Sequence, residues 1–302
     1  MRRAESAVTP GQQNTGPGGR AKLVRVTHAA EIALQDGEAV ATIVPDRGAI
    51  VTRFDVAGRR VLYLDRETLA DRTKNVRGGI PVLFPSPGKL AGDAWQRAGA
   101  SGAMTQHGFA RSVAWRIAET AASSAVLVLE SNDETRRQYP WDFTFVMTFA
   151  LHGATLRLEQ RIENRAREPM PFGVGFHPYF FVRDADKPRT HVATAATRAF
   201  DNVTKRETAV TGAIELARPE VDLHLLDHGS TASTLTTPDG RVELVGSPEY
   251  THWVVWTLAG RDFVCVEPWT CPGNALNTGE RLITLAPSEH RTLWLEITAA
   301  PT

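Results

Sequence analysis

Apolar and polar residues alternate with a period of two along most of the chain. The clearest run is Ala154–Glu163, in which Leu156, Leu158 and Ile162 fall on one face and charged residues fall on the other. Because successive side chains of a strand point to opposite faces of a sheet, this alternation predicts a half-buried β-strand. Similar patterns predict strands at Ser124–Glu130, Phe143–Ala150, His252–Leu258, Gly260–Val266 and Arg291–Thr298.

Turn signals separate these strands at short intervals. Clusters of proline, aspartate and glycine occur at Pro45–Gly48, Pro238–Gly240, Ala259–Gly260 and Pro272–Gly273. The sequence has no long amphipathic helical pattern, and Arg66–Arg72 predicts one short helical turn. Many strands joined by short turns predict an all-β fold, a large sandwich or a barrel.

The organisation of the chain is predicted to be a tail followed by one domain. Residues 1–20 are rich in Gly, Gln, Pro, Ser and Thr and lack the apolar stretch of a signal peptide, so they predict a disordered N-terminal tail. From residue 21 to residue 300 the strand pattern continues without a linker or a repeat of fixed period. We therefore expect a single β domain over 21–300.

Charge and composition exclude several classes of partner. The 302 residues carry 34 basic and 34 acidic side chains, a formal net charge of zero, so we expect no nucleic acid and no membrane surface as partner. No apolar run approaches the roughly 18 residues of a membrane span. The two cysteines, Cys265 and Cys271, do not have the spacing of a zinc pair, and Cys265 is interpreted as a small core residue. A cytoplasmic location is the expectation, and the sequence leaves open a monomer or a homodimer.

A glycine- and proline-rich segment interrupts the alternation at Val76–Trp95. It contains Arg77-Gly-Gly-Ile-Pro-Val-Leu-Phe-Pro85 and then Ser86-Pro-Gly-Lys89. A loop of this length and composition inside a β domain is typical of a binding loop rather than a plain connection.

Two titratable residues stand in apolar, aromatic frames, and each is followed by proline. His177 lies in Gly173-Val-Gly-Phe-His-Pro-Tyr-Phe-Phe181, and Glu267 lies in Phe263-Val-Cys-Val-Glu-Pro-Trp269. Such surroundings shift a pKa and fix a side chain, as a general acid and a general base require. The alternatives are a packed core histidine and a strand-end surface glutamate or structural ion pair. Pro268 predicts that the strand ends or bends there.

Further polar residues could hold a ligand. His107 and Arg111 lie in Gln106-His-Gly-Phe-Ala-Arg111, and Arg77 precedes Gly78-Gly79. An arginine fork binds hydroxyl groups or a phosphate, although a surface salt bridge is the alternative for both arginines. Asp222 could accept hydrogen bonds from sugar hydroxyl groups, or be a turn or strand-edge residue. Trp269 could form a wall of a pocket.

Taken in order along the chain, these frames resemble the aldose 1-epimerase (mutarotase) family of the galactose mutarotase-like superfamily. The segments that carry the resemblance are Arg77–Pro85, Gln106–Arg111, Gly175–Phe180, Val266–Trp269, and Asn274–Gly279 through Leu285–Pro287. The resemblance covers about residues 38–298. It implies a large antiparallel β-sandwich, the supersandwich, and interconversion of the α and β anomers of an aldose without a metal, nucleotide or other cofactor.

The resemblance also implies a role for each site residue. His177 would be the acid that protonates the ring oxygen, and Glu267 the base that takes the anomeric proton. His107 would hold the ring or anomeric oxygen, while Asp222, Arg77 and Arg111 would orient a sugar or sugar phosphate. Ser86 stands where some hexose-6-phosphate mutarotases carry an aromatic residue, so the substrate stays open between an aldohexose and its 6-phosphate.

Two other functions are compatible with the same fold, because fold does not determine function. A non-catalytic carbohydrate-binding or sugar-sensing protein would not need both His177 and Glu267. A glycoside hydrolase or lyase usually needs two carboxylates at one bond, and Asp222 would be the partner of Glu267 in such an enzyme.

Overall fold

The alternating segments form two large antiparallel sheets in the computed structural model, which describes residues 31–97 and 99–300. This architecture confirms the prediction of an all-β sandwich. The predicted tail at residues 1–20, and the start of the predicted domain at residue 21, lie outside the described residues. The helices of the described ranges include none that is long and apolar enough to cross a membrane.

The first half of the described chain contributes eleven of the strands. In chain order they are β1 (Ile32–Asp36), β2 (Ala39–Val44), β3 (Ile50–Val56), β4 (Arg59–Arg60), β5 (Val82–Leu83), β6 (Ala94–Arg97), β7 (Ala100–Ala103), β8 (Arg116–Thr120), β9 (Ser124–Glu130), β10 (Phe143–His152) and β11 (Thr155–Asn164).

The second half contributes the remaining strands. They are β12 (Met170–Phe172), β13 (Gly175–Phe176), β14 (Tyr179–Phe181), β15 (His191–Ala193), β16 (Arg198–Asp201), β17 (Arg206–Ala209), β18 (Glu220–Leu225), β19 (Ala232–Thr237), β20 (Gly240–Gly246), β21 (His252–Leu258), β22 (Phe263–Trp269), β23 (Ile283–Leu285) and β24 (His290–Ala300).

Helices in the described ranges are short and lie in the connections. They are α1 (Arg66–Ala70), α2 (Asp133–Gln138) and α3 (Ala275–Thr278), with 3-10 turns at Pro45–Arg47, Ala91–Asp93, Ala110–Ser112 and Asp184–Arg189. The side chains of Asp65 and Asn132 accept hydrogen bonds from the first backbone N–H groups of α1 and α2, which fixes where these helices begin. The short turn predicted at Arg66–Arg72 is α1.

One large sheet has the strand order β15-β19-β20-β24-β11-β10-β9-β8, and the other has the order β17-β16-β18-β21-β22-β13-β5, with β14 also paired to β22. Leu156, Leu158 and Ile162 of β11 are fully buried, as their alternation predicts. They belong to the same apolar core as Val255 of β21 and Val264 of β22. The two sheets therefore share one core between their facing sides, and the second sheet keeps its other face for polar and aromatic side chains.

Strand β22 differs from the sequence prediction at both ends. Gly260 lies in a turn, and the strand begins at Phe263 and continues through Pro268 to Trp269. The predicted end of the strand at Pro268 is therefore wrong, because the strand continues to Trp269. The strand survives because Pro268 stays in register with Trp253 of β21, and a ladder tolerates one missing N–H donor when its other rungs hold.

Candidate active site

A cavity of about 570 Å³ opens on the outer face of the second large sheet. Its walls come from β18, β21 and β22 and from the loops on either side of β5. All of the site residues predicted from the sequence line it, namely Arg77, His107, Arg111, His177, Asp222, Glu267 and Trp269. The segment Val76–Trp95, which the sequence predicts to be a binding loop, contributes Val76, Arg77 and Lys89 to the wall.

The alternation of β22 places Glu267 at the base of this cavity. Val264 and Val266 point into the shared core, while Cys265, Glu267 and Trp269 point to the opposite face. Glu267 is only 2% exposed. The interpretation of this residue as a strand-end surface glutamate is therefore wrong.

His177 lies directly opposite Glu267 across two neighbouring strands. Gly175 pairs with Trp269, and Tyr179 pairs with Cys265, so the same register places His177 against Glu267. The distance from His177 Nδ1 to Glu267 Oε1 is 3.4 Å. Both residues are buried, and among the described residues neither His177 Nδ1 nor Glu267 Oε2 has a hydrogen-bond partner.

Burial drives both groups of this pair towards their uncharged forms. The pKa of His177 lies well below its ordinary value because the ring is desolvated and because His107 and Arg111 are near. The pKa of Glu267 lies well above its ordinary value because the carboxyl group is desolvated and faces Asp222. Both shifts favour the neutral imidazole of His177 and the neutral carboxyl group of Glu267.

Aromatic rings fix the position of His177. Its ring stacks on Tyr179 with a centroid distance of 4.6 Å and an interplanar angle of 6°. The edge of Trp256 meets the same ring at 5.7 Å, and His107 lies 5.4 Å from it. Because the ring is packed on several sides, it can turn little, and its nitrogen atoms point in fixed directions.

His107 reaches the cavity from a tight loop. Its backbone has a φ of 73°, and the following Gly108 comes so close to the backbone of Phe84 that a Cβ atom would clash there. The Nδ1 atom of His107 is hydrogen bonded to the carbonyl oxygen of Pro87, which acts as acceptor, so Nδ1 carries the proton. Desolvation and Arg111 lower the pKa of His107 to about 3, so the ring is neutral and its Nε2 accepts from the side-chain amide of Gln106 at 3.2 Å.

Two arginines stand at the cavity wall in different environments. Burial lowers the pKa of Arg111 to about 10, and its guanidinium donates to the backbone oxygen of Gln106 at 2.9 Å. Its Nε has no partner among the described residues. Arg77 is exposed and lies over the ring of Trp256 at 5.3 Å. The two arginines take part in no salt bridge of the described chain, so the surface salt-bridge alternative is not what positions them.

Asp222 lies within β18, not at a turn or strand edge. One carboxylate oxygen, Oδ2, accepts a hydrogen bond from Asn202 at 2.7 Å, and the other, Oδ1, lies 3.5 Å from His224 Nε2. His224 is in turn 2.9 Å from His252, whose ring stacks on Trp269. The carboxylate is thus held on one wall of the cavity by a chain of polar contacts.

The structure adds residues that the sequence predictions missed. Tyr179, Asn202, His224, His252 and Trp256 all line the cavity. The signal for two of them was present as strand alternation, because residues two apart in an extended chain share a face: His224 follows Asp222, and Tyr179 follows His177, at that spacing. The remaining ones come from other strands, and only the pairing of those strands brings them to the site.

Comparisons with known proteins agree with this architecture. The sequence model of the family described as aldose 1-epimerase matches residues 30–298. A solved structure of the Slr1438 protein from Synechocystis sp. PCC 6803 is similar with 37% identity and a TM-score of 0.87, and the match covers 91% of this chain and 97% of that one.

More distant relatives extend the comparison. A protein of Cenchrus ciliaris named "Putative glucose-6-phosphate 1-epimerase" is 26% identical over 277 residues, which are 81% of this chain and 76% of the relative. A solved galactose mutarotase-like protein from Lactobacillus casei has a TM-score of 0.75 at 20% identity, covering 90% of this chain and all of that chain (100%), and it shows the shared fold.

Proposed function

Because the chain belongs to the aldose 1-epimerase family, we propose that it is a mutarotase that interconverts the α and β anomers of an aldohexose or its 6-phosphate. The observation that carries this proposal is the pair of His177 and Glu267. The two groups face each other at 3.4 Å and are buried at the base of a cavity of about 570 Å³, and in the described chain His177 Nδ1 and Glu267 Oε2 have no hydrogen-bond partner.

The proposed reaction moves one proton in and one proton out. In the complex with the closed sugar, Glu267 is a carboxylate and His177 is an imidazolium ion. Glu267 takes the proton of the anomeric hydroxyl group, C1 and its oxygen form a carbonyl, the bond from C1 to the ring oxygen breaks, and His177 gives its proton to the ring oxygen. Each positioned group contributes about 10²–10⁴ in rate.

The open-chain sugar then lies beside a protonated Glu267 and a neutral His177. Burial favours these uncharged forms, so the site suits the open intermediate without adding net charge. After the C1–C2 bond turns, His177 removes the proton of the ring hydroxyl, that oxygen attacks C1 on its other face, and Glu267 returns its proton to the new anomeric oxygen. At the end of the reaction, Glu267 is again a carboxylate and His177 is again an imidazolium ion.

The other cavity residues are proposed to bind the sugar. His107 is neutral and held at Nδ1, and a hydroxyl group near C1 would take the place of the Gln106 amide at its Nε2. Asp222 accepts hydrogen bonds from hydroxyl groups on the opposite wall. Trp269 is nearly fully buried and presents an apolar wall between these polar groups, as sugar-binding sites commonly require.

A phosphorylated substrate is supported by the charges at the cavity wall. Arg77, Lys89 and Arg111 all line the cavity, and arginine forks suit the oxygens of a phosphate. The relative from Cenchrus ciliaris is named for a phosphorylated sugar, glucose 6-phosphate. The proposal therefore includes both the free aldohexose and its 6-phosphate.

The deciding experiment is the rate of anomer exchange, measured by NMR magnetisation transfer. Glucose, galactose and glucose 6-phosphate are tested in parallel, each with wild-type protein and with Glu267→Gln. We expect faster exchange with wild type alone, and the sugar with the highest kcat/KM identifies the preferred substrate.

Two outcomes would contradict the proposal. Saturable line broadening without faster exchange for any of the three sugars would indicate a carbohydrate-binding protein instead. Release of reducing sugar from an oligosaccharide, abolished by Asp222→Asn as well as by Glu267→Gln, would indicate a glycoside hydrolase that uses both carboxylates.

A further inference from the structure

The thiol of Cys265 lies beside the proposed catalytic pair and has no part in the proposed reaction. Cys265 precedes Glu267 by two positions on β22, so both side chains leave the strand on the same face. The residue is fully buried and packs with Tyr179 and Phe263. The sequence analysis predicted that Cys265 is a small buried residue, but it did not predict that the thiol lies beside His177 and Glu267.

His177, Cys265 and Glu267 form a cluster of metal-ligand types. Each offers one ligand atom, and these atoms all lie within 4.8 Å of one another. Two of the polar atoms in the cluster, His177 Nδ1 and Glu267 Oε2, are buried without a hydrogen-bond partner in the described chain. Buried polar atoms without partners are rare in folded proteins, and they need an explanation beyond packing.

The chemistry of the three side chains selects the metal. Thiolate, imidazole and carboxylate are the ligands that Zn²⁺ prefers, and zinc sites with three protein ligands keep a fourth position for water or a ligand. Calcium and magnesium require a shell of oxygen atoms, which this cluster does not offer. His177 and Glu267 line the cavity, so a water or a sugar hydroxyl group can complete the zinc shell from there.

We propose that His177, Cys265 and Glu267 form an inhibitory Zn²⁺ site in which the metal occupies the catalytic pair. The inhibition rests on the function proposed above, whereas binding of the metal does not. The zinc ion would hold Glu267 as a metal-bound carboxylate and one nitrogen of His177 as a ligand. Neither group could then exchange a proton with the sugar.

A balance of charges makes it possible for this buried cluster to bind a zinc ion. All three side chains of the cluster are buried. Zn²⁺ carries two positive charges, and one thiolate and one carboxylate balance them. The site stays neutral, which avoids the large cost of a buried net charge. Because a thiol and a carboxyl group bind the metal in their deprotonated forms, binding is stronger at higher pH.

The test uses Co²⁺ as a spectroscopic substitute for Zn²⁺ and Cys271 as a matched control. Both cysteines are buried and free, but Cys271 is outside the cluster. Wild type, Cys265→Ala, Cys265→Ser and Cys271→Ala are titrated with Co²⁺, and the thiolate-to-cobalt charge-transfer band is recorded. The anomer-exchange rate is then measured during a Zn²⁺ titration, with Mg²⁺ as the control metal.

We expect the charge-transfer band in wild type and Cys271→Ala but in neither Cys265 variant. Zn²⁺ should inhibit wild type and Cys271→Ala, while a Cys265 variant should need at least about tenfold more Zn²⁺, since losing even an outer partner of a ligand costs that much. Two substitutions of Cys265 are made so that the test still has a folded variant if one of them does not fold. Each variant is used only if its thermal unfolding is cooperative.

Two results would overturn the proposal. They are a cobalt complex of wild type without a thiolate band, and equal sensitivity of wild type and both Cys265 variants to Zn²⁺. If no sugar shows enzymatic exchange, the proposed function fails, but the cobalt band and its loss in the Cys265 variants still decide whether the metal site exists.

Discussion

His177 and Glu267 are cross-strand partners between two rungs that each contain a proline. On one side, Thr270 donates its backbone N–H to Val174 at 2.9 Å, and on the other side Phe180 pairs with Val264. The two rungs next to His177 and Glu267 each contain a proline, Pro268 or Pro178, which has no N–H to donate.

The rungs that contain Pro178 and Pro268 lie on either side of this closely spaced pair. The backbone N–H of His177 turns away from Glu267 and donates to Pro81 at 3.1 Å, so the two residues form a non-hydrogen-bonded pair. Side chains of such pairs are the closest across an antiparallel ladder. The register thus holds the two side chains together, and each proline removes one backbone donor beside them.

The first prediction concerns the loss of either partner. His177→Asn and Glu267→Gln should each lower kcat for anomer exchange by about 100-fold or more, because each removes one proton-transfer group. KM should change less, since the other cavity residues still bind the sugar. The measurement is magnetisation transfer at several sugar concentrations.

Matched controls for this prediction lie on the exposed strands. His290→Asn and Glu243→Gln make the same chemical changes at exposed positions of β24 and β20, and we expect both to keep the wild-type rate. A His177 or Glu267 variant that retains more than about half of the wild-type rate would remove that residue from the proposed mechanism.

The sequence predicted the fold because strand alternation is a local property. The faces of β11, and the bounds of β9 and β21, follow from which residues are apolar. Strand β22 was harder because Phe263 to Val266 is apolar on both faces, one side packing in the core and the other beneath the cavity. Periodicity cannot separate two buried faces.

The site was predicted in part for a different reason. His177, Glu267, His107 and Arg111 stand in unusual local frames, which a sequence displays directly. His224 and His252 have ordinary frames, and they reach the cavity only because β18 pairs with β21. Register between distant strands is a property of the whole sheet, and no single segment of the chain carries it.

The second prediction concerns the pH dependence of the rate. The active pair holds one proton, so kcat/KM should fall at low pH when His177 and Glu267 are both protonated and at high pH when both have lost their protons. Burial lowers the pKa of His177 and raises that of Glu267, which places the acid limb below the ordinary histidine range and the alkaline limb above the ordinary glutamate range.

The charged and titratable groups around the pair set these limbs. They are Arg77, His107, Arg111, Tyr179, Asp222 and Cys265. The profile is measured on free enzyme at low sugar concentration, after the buffer-catalysed rate is subtracted. A rate that keeps rising through alkaline pH would show that the pair works without its proton and would contradict the assignment.

The third prediction concerns stability. The folded-state pKa of Glu267 is raised, so its contribution to stability is present below the unfolded-state pKa and is lost as the pH rises towards the folded-state pKa. Glu267→Gln removes the ionisable group, so the variant does not lose this stability as the pH rises. We expect the variant to gain stability over wild type as the pH rises, by up to about 1.4 kcal/mol per pH unit in that window.

Thermal melting between acid and mildly alkaline pH tests this prediction. Near the ordinary glutamate pKa the two proteins should melt at similar temperatures, and the difference should grow with pH. Glu243→Gln, an exposed change, should show no such trend. Equal pH dependence of Glu267→Gln and wild type would mean that Glu267 is not desolvated in the folded protein.

The fourth prediction concerns His224, which links Asp222 to His252. We assign the proton of its ring to Nε2, which faces Asp222 Oδ1 at 3.5 Å, so that Nδ1 accepts a hydrogen bond from His252 at 2.9 Å. His224→Phe keeps a ring but loses both contacts. Because Asp222 would then be held only by Asn202, KM should rise by about tenfold, the effect of losing one net hydrogen bond of about 1.4 kcal/mol, while kcat changes little.

A purely structural role for His224 would give a different result. His224→Gln retains an amide donor and should restore most of the sugar affinity, whereas a packing role would make the phenylalanine variant the better replacement. His191→Phe, an exposed change on β15, serves as the control. A fall in kcat with unchanged KM in His224→Phe would place this histidine in the proton transfer itself rather than in the positioning of Asp222.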